Sequence, residues 1–242
     1  MSTRLGVIAD VHGNLVALAA VLADMPTVDG LVCAGDVVGY NPWPAECVAA
    51  MRGRAVGGDE VADLALPPEA FPADAVPTVM GNHDRAVARA TGFRFNAMAK
   101  AGVDHARDRL ADDALAWLDG LPDRRSVADG RMRLVHGHPD DPDRYTYPDE
   151  FSPGMLDGED VLVTGHTHVQ GTRRFDEGVV MNPGSVGQPR DGDPRAGYAV
   201  VDLRDRVAVD ERRVAYDVDR VVAAVREAGL PERIGERLRE GR

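Results

Sequence analysis

Lysine is almost absent from this chain. Lys100 is the sole lysine among 28 basic residues, against 40 acidic ones, and the formal net charge is −12. Phosphate-backbone binding draws on clustered Lys and Arg, so general nucleic-acid binding is not expected. The bias fits a GC-rich genome. It fits slightly better a halophilic setting, in which a dense acidic surface keeps a protein soluble. Cysteine is nearly missing too. Cys33 and Cys47 are the only two, with no CxxC, which excludes a disulfide framework and fits a reducing, cytoplasmic location. Cys33 lies in an apolar run and reads as a small buried hydrophobe. The longest apolar run, Leu15 to Ala23, falls far short of the roughly 20 residues that span a bilayer. No membrane partner is expected, and the opening MSTRLGVIAD carries no cleavable signal pattern.

What is present is a succession of short apolar strands alternating with helices. Arg4 to Asp10, Gly30 to Asp36 and Pro77 to Gly81 read as strands. Asn14 to Asp24 reads as a helix with Leu15, Leu18, Ala19 and Leu22 on one stripe, and Pro44 to Arg52 as another with proline in its first turn. Asn96 to Leu121 carries one long helical stripe. The second half is richer in strands: Arg131 to His136, Val161 to Gly165, a hairpin of Thr172–Phe175 with Val179–Asn182, and another of Tyr198–Leu203 with Val207–Val214. Asp217 to Ala228 reads as a helix with Asp217 or Asp219 near its start. The span from about 54 to 77 has four prolines and fits neither period, so it reads as an acidic loop insertion. The charged tail from about 231 to 242 reads as a loosely held helix. The whole, residues 1–242, is expected to form one domain of α/β (α+β) class.

Of seven histidines, six lie in four short segments, ADVHGN, GNHD, VHGHP and GHTH. Each segment stands at or just past the end of an apolar strand, where ligands bind in α/β sheets. His105 stands apart in a charged helix and reads as a solvated surface residue. In an extended chain residues i and i+2 share a side, so His166 and His168 would aim at one point, as would Asp10 and His12. With Asp36 closing LVCAGD, and Asn82 and His83 following a glycine, two carboxylates, an amide and several imidazoles are available, with no thiolate. That set suits Mn, Fe, Zn or Ni better than Ca or a structural zinc. It exceeds what one tetrahedral ion needs, and two ions about 3.5–4 Å apart would use it.

The order D-x-H, GD, GNHD, H-G and GHTH from Asp10 to His168 resembles the calcineurin-like metallophosphoesterase superfamily. ADVHGNLVAL, GDVVGYNP and the block Asn182 to Asp202 resemble its small bacterial and archaeal predicted-phosphodiesterase branch. The resemblance implies a four-layer αββα sandwich of two mixed sheets flanked by helices, with a dimetal site at the strand C-terminal ends. It implies that Asp10, His12 and His168 hold one divalent ion, that Asn82, His136 and His166 hold the other, and that Asp36 bridges them. Mn is expected first, with Fe, Ni or Zn as alternatives. It implies hydrolysis by a hydroxide bridging the metals, with His83 protonating the leaving oxygen and Asp84 orienting His83. Asn14 at the first helix, His138 and Arg190 are candidate substrate contacts, and Arg195 is a further cation in the same loop.

A phosphodiesterase acting on a small phosphodiester or nucleotide-like substrate is the favoured expectation. The alternative is a phosphomonoesterase or nucleotidase. The protein phosphatases and dinucleoside-tetraphosphatases carry an Asp-Arg-Gly after the GD block, whereas this chain has Gly35-Asp36-Val37-Val38. A non-catalytic scaffold of the same fold ranks last, because His83 and every expected ligand are present. A homo-oligomer is expected only by analogy with relatives.

Overall fold

The computed structural model describes residues 3–56, 71–91 and 95–242. Two mixed sheets stack face to face. The first has strand order β2-β1-β8-β9, built from β1 (Arg4–Ile8), β2 (Gly30–Cys33), β8 (Ala196–Leu203) and β9 (Val207–Val214). The second runs β3-β4-β5-β7-β6, from β3 (Arg124–Val127), β4 (Met132–Val135), β5 (Val161–Val163), β6 (Gly171–Arg174) and β7 (Val179–Asn182). β1 pairs parallel with β2, and β4, β5 and β7 pair parallel with one another. β8, β9, β3 and β6 add antiparallel partners.

The period-2 alternation of each strand sorts side chains between two cores. Leu5, Val7, Val32, Ala199 and Val201 of the first sheet meet Met132, Leu134, Val161, Val163 and Met181 of the second. Ile8, Cys33, Tyr198 and Val200 point the other way, under the α-helices. These are α1 (Leu15–Asp24), α2 (Pro44–Met51), α3 (Asn82–Arg89), α4 (Ala97–Arg109), α5 (Asp112–Asp119), α6 (Val218–Glu227) and α7 (Glu232–Leu238). The outer face of the second sheet, Val135, Leu162 and Val180, packs on Phe151 and Met155. The helical layer there consists of two one-turn 3-10 helices, Pro148–Glu150 and Pro153–Met155. The expected sandwich is therefore present, with a thin fourth layer.

Several local expectations are corrected. Pro77 to Gly81 is no full strand: it forms one isolated parallel bridge, Cys33 to Thr78, after which Met80 N–H turns to Pro122 O at 2.8 Å and Gly81 leads into α3. That helix begins at Asn82, inside the GNHD segment. The stripe from Asn96 to Leu121 is two helices, since Leu110 and Ala111 are extended and α5 restarts at Asp112. The tail is not loosely held, because Ile234 and Leu238 are fully buried in the helix-side core. Two such side chains supply about 1.5–3 kcal/mol each, enough to seat a seven-residue helix. His105 is not simply solvated: its Nε2 lies 3.1 Å from the Pro42 carbonyl. Of the insertion, residues 57–70 lie outside the described residues, while Val76 N–H donates to Met51 O at 2.8 Å and Phe71 is buried.

The parallel strands bring the important loops together. Asp10 and His12 follow β1, Asp36 follows β2, His136 follows β4, and His166 and His168 follow β5.

Candidate metal centre

Six residues at the centre hold left-handed backbone: Asp10 (φ 53°), His12 (49°), Asp36 (54°), Tyr40 (57°), His166 (68°) and His168 (60°). Such conformations cost non-glycine residues of order 1–3 kcal/mol and cluster at functional sites. They also correct the extended geometry expected for the D-x-H and H-T-H pairs. The chain turns after each strand, and His166 and His168 point into different groups.

The strained loops are clamped by the segment after β7. Ser185 Oγ and the Gly187 N–H both donate to Asp10 O, at 2.8 and 2.9 Å. Asn182 Nδ2 donates to Gly165 O at 2.7 Å and Thr167 Oγ1 at 3.1 Å. A Cβ at position 187 would fall 1.9 Å from Val11 O, so only glycine allows this approach. Asn14 is fully buried and caps α1 through Ala17 N–H at 3.1 Å, while its Nδ2 donates to Gly187 O at 3.0 Å. One end of its amide thus caps the helix and the other ties it to the clamp.

Three overlapping buried groups result: Asp10, His12 and His168; His12, Asp36 and His83; and Asp36, His136 and His166. Asp36 belongs to the last two, with Oδ2 3.6 Å from His12 Nε2 and 3.3 Å from His136 Nε2. Asn82 Oδ1 is 3.2 Å from His136 Nε2. His83 N–H, in the first turn of α3, donates to Asp36 Oδ1 at 2.8 Å.

The hydrogen bonds test whether cations fit. His12 Nδ1 lies 3.1 Å from Val38 O, and His168 Nδ1 lies near Gln188 O at 2.5 Å. Carbonyls only accept, so both Nδ1 atoms carry protons and both Nε2 atoms present lone pairs. Those lone pairs face each other at 3.0 Å. Burial holds both imidazoles well below their ordinary range, so no proton sits between them. A divalent cation satisfies two such donors, together with Asp10 Oδ1 at 3.3 Å from His168 Nε2. His136 donates from Nδ1 to Ala34 O at 2.8 Å. Burial alone would lower it, but Asp36 beside it, with Asp10, lifts it to about 10. The extra proton on Nε2 stands between Asp36 and Asn82, where a cation would serve. His166 is reversed: Nε2 contacts Asp143 O at 3.2 Å, which leaves Nδ1 as its ligand atom. Burial raises Asp10 to about 8 against the charge of His136. Burial would raise Asp36 too, but His136 and His83 hold it well below the usual carboxylate range. Two carboxylates and four imidazoles, each fixed by an outer hydrogen bond, form a transition-metal donor set once His136 gives up its extra proton.

His83 is buried with its Nδ1 unpartnered. Its ring stacks on Phe95 at 4.6 Å and meets Tyr40 at 4.7 Å and His12 at 4.9 Å. Asp84 does not orient it, contrary to expectation. The Asp84 carboxylate accepts from Asp36 N–H at 2.8 Å, Gly81 N–H at 3.0 Å and Val38 N–H at 3.2 Å. It grips the Asp36 turn because α3 places it at the third helical position, aimed back at its own N-terminus.

Arg190 faces the first group, but its guanidinium is engaged by Gln188 Oε1 at 2.7 Å and Tyr40 Oη at 3.2 Å. Arg195 is turned away in an exposed pair with Asp193. His138 lies in a turn where its Nδ1 accepts from Asp140 N–H at 3.2 Å. Sequence reasoning passed over Tyr40, Phe95, Asp143 and Tyr145. Tyr145 packs its ring 4.0 Å from that of His166. The alternation Tyr145-Thr146-Tyr147 just after VHGHP was the available signal.

The chain belongs to the calcineurin-like phosphoesterase superfamily, whose domain model matches residues 3–206. A metallophosphoesterase from Sphaerobacter thermophilus is 33% identical, with complete coverage of both chains and a TM-score of 0.78. The uncharacterized protein MJ0912 of Methanocaldococcus jannaschii is 30% identical over the full length of both. The hypothetical protein PH1004 of Pyrococcus horikoshii OT3 shares the fold at 20% identity, with a TM-score of 0.78 over 99% of this chain and 98% of that one. No helix among the described residues is long and apolar enough to cross a membrane.

Proposed function

We propose that the chain is a metal-dependent phosphodiesterase. The observation that carries this is the set of three overlapping buried Asp/His groups, linked through His12 and Asp36, with the unpartnered Nδ1 of His83 at the same centre. Asp10, His12 and His168 would hold one divalent ion, Asn82, His136 and His166 would hold the other, and Asp36 would be shared between them. Mn is the first candidate, with Fe, Ni or Zn as alternatives. Bound divalent cations supply positive charge for the phosphate oxygens and acidify the attacking water.

The remaining work falls to the protein. Burial pushes His83 down to about 4 in the free protein. An anionic phosphodiester next to it adds the opposite charge that raises it, so that it protonates the leaving oxygen. The α3 N-terminus and Asp84 hold Asp36 and His83 in register. A diester is favoured over a monoester by the resemblance to the predicted-phosphodiesterase branch, and the absence of an arginine after Asp36 speaks against the protein phosphatases and dinucleoside-tetraphosphatases, though not against other monoesterases.

Hydrolysis of bis-aryl and mono-aryl phosphates, side by side with Mn and with Ni, tests this reading. Faster turnover of the diester is expected. A faster monoester reaction would make the protein a phosphomonoesterase. No turnover of either ester at full metal loading would leave a scaffold.

A further inference from the structure

Tyr145 and Tyr147 are the exposed large apolar side chains among the described residues, at 49% and 43% exposure. They stand on one side of a short extended strip, with Thr146 between them turned inward and 2% exposed. Their rings lie within 21° of parallel with centroids 6.5 Å apart, too far for full face contact. Neither phenol oxygen has a hydrogen-bond partner among the described residues. The strip is held at both ends. Asp143 O meets His166 Nε2 at 3.2 Å and the Asp143 carboxylate receives Arg85 Nη1 at 3.1 and 3.0 Å. Beyond Tyr147, its own N–H donates to Glu150 Oε2 at 2.8 Å. Two rigidly displayed aromatic faces therefore start at a metal-site imidazole and lead outward.

We infer that Tyr145 and Tyr147 form a stacking platform for a planar ring on the retained arm of the phosphodiester, so that the substrate class is a nucleotide-type diester carrying a base. This rests on the phosphoesterase reading. The platform adjoins His166, while Phe95 and Tyr40 pack on His83, the residue that would protonate the leaving oxygen. The two ester arms thus meet different walls. Stacking on a tyrosine is tolerant of base identity, so this platform selects a base-bearing arm rather than a particular base.

The test compares the p-nitrophenyl ester of thymidine 5′-phosphate with ethyl p-nitrophenyl phosphate on the metal-loaded protein. The leaving group is common, so the ratio of kcat/KM reads only the retained arm. The nucleoside ester is expected to be favoured about 5- to 140-fold, the range for stacking one base. Tyr145→Ala and Tyr147→Ala should each shrink that ratio through KM, and Tyr145→Phe should restore it. An equal loss on both esters would reduce Tyr145 to a support for His166 and overturn the inference. So would a wild-type ratio near one, or a dimer lost in Tyr147→Ala with the ratio intact. A second readout needs no turnover. In saturation-transfer NMR on the metal-free protein, the base protons of thymidine 5′-methylphosphate should saturate, and Tyr145→Ala should abolish the effect. Base saturation without hydrolysis of either ester would refute the phosphoesterase reading and leave the platform standing. Absent saturation would refute the platform itself.

Discussion

Replacing Asp84 by asparagine tests what its carboxylate is for. Its Oδ2 accepts from Asp36 and Gly81, and its Oδ1 accepts from Val38. Asparagine keeps one acceptor oxygen and turns the other into a donor. With the amide oxygen in the place of Oδ2, two bonds survive and the Val38 N–H faces an NH2 group. The opposite orientation loses two. A buried donor left unsatisfied costs about 1–3 kcal/mol, so the better orientation destabilises by about that amount. At about 2–4 °C per kcal/mol for a chain of this size, Tm should fall by about 2–12 °C. The Asp36 turn, strained at φ 54°, loses one of its restraints, so metal affinity should drop with stability. The pH profile of the remaining activity should not move, since the Asp84 carboxylate bonds to backbone N–H groups and not to the His83 ring. Thermal melts of metal-free and metal-saturated protein, with elemental analysis, provide the measurement. A wild-type Tm combined with a displaced pH profile would refute this reasoning and return Asp84 to a role at His83.

Asp36→Asn should release both ions together and abolish activity, and two full metal equivalents with near wild-type turnover would disprove the bridging assignment. His83→Ala should retain both metals while kcat falls about 10²–10⁴-fold, with a smaller loss on esters whose leaving groups need little protonation; equal losses on good and poor leaving groups would count against a general acid. Metal uptake should release protons. At pH 7 the metal-free protein lies below the values of Asp10 (about 8) and His136 (about 10), so both are protonated and must lose that proton to bind. Titration calorimetry in buffers of different ionisation enthalpy should therefore show release that declines as pH rises through 8 and then 10, and pH-independent uptake would contradict it. With net charge −12, Tm at saturating metal should rise between low and molar KCl as the Debye length falls from about 30 Å at 0.01 M to about 3 Å at 1 M; a flat or falling Tm would favour genomic bias as the cause of the missing lysines.

Much of the candidate site was legible because its residue types are local signals. Asp10, His12, Asp36, His136, His166 and His168 each follow a short apolar strand, and strand periodicity with a polar residue at the exit is visible within ten residues of sequence. The parallel sheets then had to bring those exits together. Helix α3 was missed because it is short and polar and begins inside GNHD, where the pattern offers no apolar stripe. The tail was misjudged because Ile234 and Leu238 find their core only through distant packing. Tertiary structure alone decided which atoms face which. His12 meets His168 across 156 positions, and Asp84 reaches the Asp36 turn across 48. Tyr145 lies against His166 only because Asp143 is tied to both α3 and that imidazole. Even the convergence of the histidine pairs came from left-handed turns rather than an extended chain, since backbone strain of that kind persists only where distant hydrogen bonds hold it. Residue chemistry and strand order belong to the sequence. Tautomer, the sharing of Asp36 between two groups and the aromatic wall at the mouth depend on long-range hydrogen bonds, and no local pattern encodes those.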